Sequence, residues 1–297
     1  MAVYTSYDQV GKAEDVSDII TDITPTDTPF FSMIKSEKVN ARVFEWQEDS
    51  LASAANNAQV EGAAFSAGTL SATTMRTNNT QILSKVFEVS ATADAVKTYG
   101  RAKETAYQMS KALKEIKRDL ERAYIGVDNA AVTGNASGPV AREMASATQQ
   151  ISTDVDAGTN ATDPLTEAKL LTLGETVFNN GSDPSVFMIK PADAQIVAGF
   201  TASSGRNRTF NDGNTSLVNV IDLYVSPYGE YKVVLNRHQL TTHAFLIDPA
   251  MFRSSVLRPF ARTLLGKTAD GDTHAVVGEY SLKHMNFADS GMISGLS

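Results

Sequence analysis

Between positions 101 and 124 apolar residues fall at Ala102, Ala106, Met109, Leu113, Ile116, Leu120 and Ala123, a repeating spacing of four and three. That spacing draws a single stripe along one side of a helix. No proline or glycine interrupts it, and Gly100 and Gly126 bracket it. At 1.5 Å per residue the helix would run about 36 Å, enough to cross a whole domain. Few of its stripe residues are large aliphatics, so the pattern predicts a helix laid across a sheet in preference to a coiled coil. The remaining faces carry Arg101, Lys103, Lys111, Lys114, Lys117, Arg118 and Arg122 among four acids.

Ahead of this helix the period changes to two. Residues 41–47 alternate, with Val43 set against Phe44 and Trp46, as a strand does, and 81–89 (Gln-Ile-Leu-Ser-Lys-Val-Phe-Glu-Val) reads as the matching return strand. Between them, 49–80 holds eight alanines with many Ser, Thr and Asn. So long a stretch without a core of its own is uncommon inside a domain. It reads as a projecting two-stranded loop that lies over another subunit, with a disordered segment as the alternative.

After the long helix the pattern mixes. Residues 127–163 are loop-rich, 164–178 is helical and stopped by Asn179-Asn180-Gly181, and 186–189 is a short buried strand. Pro191 opens a helix running to Gly199, and 201–216 is a polar loop. Strands follow at 217–225, 231–235, 244–247 and 274–285. There is no internal repeat, and the order predicts an α+β fold.

The first 34 residues set six acids (Asp8, Glu14, Asp15, Asp18, Asp22, Asp27) against Lys12. Pro25 and Pro29 forbid a continuous helix across their end. This is either a frayed terminus or an arm packing on a neighbour, with Phe30, Phe31, Met33 and Ile34 as its anchor.

Composition narrows the chemistry. With 297 residues and 42% hydrophobic side chains the chain can bury a real core. The net charge of −8 means that any contact with a polyanion needs a local basic patch. The chain contains no cysteine, which removes disulfides, thiolate metal sites and cysteine nucleophiles. Met1-Ala-Val-Tyr4 does not open a secretory signal, and no run of 18 apolar residues occurs. The expectation is a protein made and kept in a cytoplasm.

Catalytic motifs are weak. Ala261-Arg-Thr-Leu-Leu-Gly-Lys267-Thr268 loosely fits a phosphate-binding loop, but it has one glycine and is followed by the turn-like Ala269-Asp-Gly-Asp-Thr-His274 where a helix is required. His238 and His243, five apart, fit no metal-binding helix face. Gly291-Met-Ile-Ser-Gly295 has the wrong spacing for a nucleophile elbow, and Asp270-Gly-Asp272 lacks the later ligands of a calcium loop. No catalytic residue, metal ligand or cofactor is expected. Between Asp248 and Asp270, however, Arg253, Arg258, Arg262 and Lys267 occur with no acid among them. Such a run is a solvated face, or a patch meeting phosphate or the acidic arm of a neighbouring copy.

With these elements in order, the chain resembles the Hong Kong 97-like major capsid proteins of tailed phages over nearly its whole length. Thr26-Asp-Thr-Pro-Phe-Phe31 is similar to the segment that joins the arm to the body in that family. The longer string Asp18-Ile-Ile-Thr-Asp-Ile-Thr-Pro-Thr-Asp-Thr-Pro29 is similar to the opening of a subgroup of phage head proteins. The resemblance implies an N-terminal arm (1–40), an extended E-loop hairpin (41–90), a peripheral (P) domain with a spine helix (91–125 and 246–297), and an axial (A) domain (126–245). It implies hexamers and pentamers in an icosahedral head around double-stranded DNA, assembled in the host cytoplasm. Portal protein, and a separate scaffold or decoration protein, would be further partners. Phe30, Phe31, Trp46, Arg253, Arg258 and Arg262 are the interface candidates. Some relatives crosslink a loop lysine to a neighbour, but 49–80 contains no lysine and that property is not carried over. The alternatives are an encapsulin-like compartment of the same fold and, remotely, a nucleotide-binding enzyme using Lys267.

Overall fold

The computed structural model describes residues 26–62, 68, 70–96, 103–156, 163–203, 223–266 and 270–297. Lys267, the acidic segment before Thr26 and most of the 201–216 loop lie outside them.

The long helix is present as α3 (Glu104–Ile125), about 33 Å of axis, set between the short helices α2 (Ala91–Ala95) and α4 (Ala147–Gln150). Its buried line is not the expected stripe. Ala112, Ile116, Leu120 and Tyr124 face inward, while Ala106 and Leu113 are exposed. Each step of four residues turns about 40° around the axis, so this line winds as it follows a twisted sheet. A straight 4-3 stripe would suit a straight partner. Gly126 ends the helix, and a Cβ there would sit 2.1 Å from the His238 carbonyl oxygen, so a loop of the second sheet can cross the helix end only over glycine.

The sheet under α3 has the order β1-β10-β11-β4, built from β1 (Lys35–Lys38), β10 (Phe252–Leu264), β11 (Gly271–His284) and β4 (Gln81–Ser90). β1 runs parallel to β10, and the other neighbours are antiparallel. β10 is irregular in register around Arg258 and Ala261, flanking Pro259, which has no amide to give a ladder.

The hairpin pairing expected from sequence is not the one observed. The return strand of β2 (Val43–Glu48) is β3 (Thr74–Asn79), not 81–89. The latter is β4, whose Leu83 and Phe87 turn toward α3 and whose ten residues pair with β11. The β2–β3 hairpin therefore ends at Asn79, and 81–90 belongs to the four-stranded sheet.

A second sheet has the order β5-β12-β9-β6-β8-β7: β5 (Thr153–Asp156), β12 (Gly291–Ser294), β9 (Ala244–Ile247), β6 (Val186–Ile189), β8 (Gly229–Leu235) and β7 (Leu223–Ser226). β6 and β9 are buried on both faces, which explains their unbroken apolar runs. α5 (Glu167–Asn179) and α6 (Ala194–Ser203) pack on it, with Leu170, Leu173, Val177, Val197 and Phe200 meeting Phe187 and Tyr231. The second sheet thus includes β12, and 246–297, expected to lie in one domain, contributes strands to both sheets. A further core fuses the units. Phe30, Leu120, Tyr124, Ile125, Met144, Phe245, Phe252 and Leu282 form one cluster drawn from the arm, α3 and both sheets.

Candidate assembly interface

Three features of the body organise its projections. The first is the root of the arm. α1 (Pro29–Met33) starts with proline, which has no amide to leave unsatisfied there. The next two amides, of Phe30 and Phe31, donate to the two carboxylate oxygens of Glu121 in α3, each at 2.8 Å. Glu121 is fully buried and also accepts from Asn236 Nδ2 at 2.7 Å, beyond the end of β8. Burial pushes its carboxyl up, and the bonds from Phe31, Phe30 and Asn236 pull it back down. One carboxylate of α3 thus joins α1 and the end of β8 in the second sheet.

Phe30, expected to anchor a neighbour, is instead wholly buried in its own chain. Its ring meets Tyr124 and Phe252 edge-on, at 6.1 and 5.4 Å. Phe31 is half-buried beside Tyr124.

The second feature is the root of the hairpin. Trp46 is buried, stacked on Phe44 at 5.6 Å and tilted against Phe287 at 6.2 Å, so it too serves its own chain. Arg76 grips Glu48 through two hydrogen bonds of 3.1 and 3.0 Å and lies over the Phe287 ring. That pairing holds the Glu48 carboxyl below its usual range. Asn78 is buried and bridges Leu282 of β11 and Ala145 through both ends of its amide. Thr80 donates to Glu279 at 2.7 Å. Beyond this root the hairpin exposes its apolar side chains: Leu51 is 99%, Val60 79% and Leu70 94% accessible.

The third feature is the basic run, which the structure divides. Arg258 Nε donates to the buried carboxylate of Glu279 at 3.0 Å, and Arg142 pairs with the same group. Arg258 is therefore half committed to its own subunit. Arg253 gives its guanidinium to the backbone oxygens of Ala250 and Phe252. Arg262 is exposed and lies 3.3 Å from the His274 ring nitrogens. The six sequence candidates thus form no single patch: two are core, one is half-buried beside the core, and three are spread along β10.

Sequence reasoning missed Glu121, Asn78, Glu279, Arg142 and His284, polar groups that lock the projections from within. His284 is fully buried, its Nδ1 donating to the Gln150 carbonyl at 2.9 Å. Burial depresses it to about 4, against the pull of Gln150 and Glu48 in the other direction. No common sequence signal marks them: Glu121 lies in a helix, Arg142 in a loop, and Asn78, Glu279 and His284 in strands.

The weak motifs of the sequence do not gain the context their chemistry needs. The loop-like run at 261–268 starts within β10, and the chain resumes from Gly271 as β11, so among the described residues no helix opens after it. Gly291–Ser294 is strand β12. No group of three or more His, Asp or Glu able to hold a metal occurs among the described residues, and no helix there is long and apolar enough to cross a membrane.

The profile of the SU10 major capsid protein family matches residues 3–297. This chain belongs to the SU10 major capsid protein family. The major capsid protein of Escherichia phage Phieco32 is 32% identical across 98% of this chain and 96% of its own length. Among solved structures, the capsid of a native GTA particle covers all of both chains with a TM-score of 0.69 at 12% identity. A protein of Gordonia phage Cozz gives 0.64 at 12% identity over 97% of this chain and 92% of its own. The SrpI encapsulin of Synechococcus elongatus gives 0.62 at 10% identity over 100% and 97%. The fold is the α+β Hong Kong 97-like capsid fold, as the order of elements implied. Fold alone does not separate a phage head from an encapsulin compartment; membership of the SU10 family does. The protein is a non-enzymatic major capsid protein, a component of the virion.

Proposed function

We propose that this SU10-family subunit assembles as hexamers and pentamers into a closed icosahedral head around double-stranded DNA, with the β2–β3 hairpin and the N-terminal arm as its intersubunit elements. The observation that carries this reading is the contrast within the hairpin. Its root is pinned by Trp46, Glu48, Arg76 and Asn78, while Leu51, Val60 and Leu70 stand in solvent. A pinned root with a bare apolar tip is suited to lying on another subunit, where the tip is buried as part of an obligate-size interface. Phe30 and Trp46 set the directions in which arm and hairpin leave; Phe31, Arg253, Arg258 and Arg262 are nearer the surfaces that copies would meet.

The net charge of −8 suits a shell that surrounds DNA without clamping it. Contacts with DNA would be non-specific and with phosphate. A portal protein, and a separate scaffold or decoration protein, complete the set of partners.

The test is to express the chain alone and examine it by negative-stain microscopy and sedimentation. Closed shells or rings of five and six subunits are expected. A stable monomer at every concentration, unchanged when the phage's own scaffold candidates are co-expressed, would overturn the reading.

A further inference from the structure

The sheet that α3 crosses has two unlike faces. Leu83, Phe87 and Val276 meet α3 on one. The hairpin root covers the other, where Ser281 donates to the Asn79 carbonyl at 2.7 Å and Lys283 lies over the Trp46 ring. A hairpin laid on another subunit need not cover the outward side of α3. That side is basic. Lys111, Lys114, Lys117 and Arg122 are exposed and Arg118 is half-buried. At 3.6 residues per turn Lys111, Lys114, Arg118 and Arg122 form one line, with Lys117 beside it, over about 16 Å of axis.

None of the five forms an ion pair among the described residues. The acids of α3 are engaged elsewhere. Asp119 pairs with Lys85 at 2.8 Å, Glu121 is buried under the amides of Phe30 and Phe31, and Glu104 accepts from Gln108 at 2.6 Å. Glu115 is half-buried at the margin of the line. Lys114 with Arg118, and Arg118 with Arg122, are like charges four residues apart, which repel and weaken a helix unless an anion joins them. In a chain of net charge −8 the line is a local patch of the opposite sign. β10 differs, since Arg258 is half committed to Glu279 and Arg253 to backbone oxygens.

We infer that the outward face of α3 is the surface on which packaged double-stranded DNA lies, held through its phosphates, an assignment that rests on the head reading above. Duplex DNA carries one negative charge per about 1.7 Å of axis, so a row of cations this long meets several phosphates at once. Lysines on flexible stems act as point charges that follow a curved backbone. From Lys111 to Arg122 the helix has no Asn or Gln to read base edges, so the contact is independent of sequence, as enclosing a whole genome requires. An acidic protein fits this face less well. Protein interfaces bury an apolar centre, and Leu113, the exposed apolar side chain of this stretch, stands about 140° round the helix from the line.

The test follows binding of a short DNA duplex to the unassembled subunit by fluorescence anisotropy, between about 50 and 200 mM salt. Affinity should fall steeply as salt rises. Lys111→Gln with Lys114→Gln and Lys117→Gln should weaken binding about tenfold at the lower salt and reduce the slope of log affinity on log salt by about 2–3. Lys232→Gln, which removes an exposed cation from β8, should leave both unchanged. Position is read separately. Ser110 is exposed on the basic side of α3, Ser84 is exposed on the far face of β4, and the chain has no cysteine. A photoreactive group on Ser110→Cys should crosslink to the duplex, and one on Ser84→Cys should not. Natural affinity in the triple variant, or crosslinking from position 84 alone, overturns the site. Tighter binding of poly-glutamate than of the duplex assigns the face to an acidic protein and overturns it as well. Shells that form normally from subunits unable to bind the duplex overturn the site and leave the head reading intact. Duplex binding at α3 by a subunit that never forms shells supports the site and counts against the head.

Discussion

His284 lies flat on Phe252, ring centroids 4.1 Å apart and planes 1° from parallel. The stack sits where β10 and β11 meet the hairpin root, for the Phe287 ring lies 5.9 Å from that of His284 and nearly parallel to it. With Nδ1 donating to the Gln150 carbonyl, Nε2 must be the bare nitrogen of a neutral ring, and it has no partner in its buried position.

A pH dependence follows from that ring. Its pKa in the fold, about 4, lies below the ordinary value of 6.5, so the unfolded chain takes the proton first. Above pH 6.5 the ring is neutral in both states and costs nothing. As pH falls from about 6.5 toward 4 the fold loses stability, by up to about 3 kcal/mol. Glu121 acts oppositely, because its raised carboxyl favours the fold when protonated. Urea unfolding of the unassembled subunit from pH 8 to pH 4 should therefore flatten in His284→Gln relative to the natural chain. Parallel pH profiles for the two proteins would refute the role of the ring.

Removing the shared carboxylate tests the arm root. Glu121→Ala strips acceptors from the Phe30 and Phe31 amides and from Asn236, and leaves a cavity in α3. The cost should be about 3 kcal/mol, with Glu121→Gln losing about 1–2 kcal/mol because one acceptor oxygen survives. Early proteolytic cleavage near Pro29 should accompany the loss in the alanine variant. Equal urea midpoints for Glu121→Ala and the natural chain would show that the amides find other acceptors.

What the sequence displayed depended on whether apolar pattern and burial coincided. α3, β6 and β9 carry their burial in large apolar residues, and they were legible to within a few positions. β1 is Lys-Ser-Glu-Lys, an edge strand with no apolar alternation, and β10 holds three arginines and Pro259, so neither read clearly as a strand. β3 ends in Asn78 and Asn79, residues that favour turns, and its pairing with β2 was given instead to the stronger pattern of β4. The polar locks failed to register for a related reason. A lone Glu121 or Glu279 in a helix or strand reads as a solvent-facing residue until tertiary structure supplies the donors that surround it.

Glu279 separates two roles within the basic run. Arg142 and Arg258 both pair with it, but the Arg142 side chain is 18% accessible and that of Arg258 57%. Arg142→Ala should cost about 3 kcal/mol, as breaking a buried pair does, and Arg258→Ala about 0.5 kcal/mol after solvent screening. Arg258→Glu would set a second acid beside Glu279 and confound folding with assembly. Arg262→Glu, on an exposed side chain, is the cleaner probe: it should leave the melting temperature unchanged while lowering shell yield. Natural yields from Arg262→Glu would remove that residue from the interface.

The hairpin allows the projection to be cut away without touching its root. Glu48 and Thr74 are direct partners in the β2–β3 register. A two-residue Asn-Gly turn can therefore replace residues 49–73 and close the ladder in a favoured hairpin geometry. The shortened subunit keeps Trp46, Arg76 and Asn78 and loses Leu51, Val60 and Leu70, which contribute nothing to its own core. Its stability should stay within about 1 kcal/mol of the natural chain, since a shorter loop also closes at lower entropic cost. Assembly should fail, and sedimentation should find small species where the full chain forms shells. A marked drop in stability would mean that the tip folds back on its own body, and shells of normal size would mean that copies hold together without it.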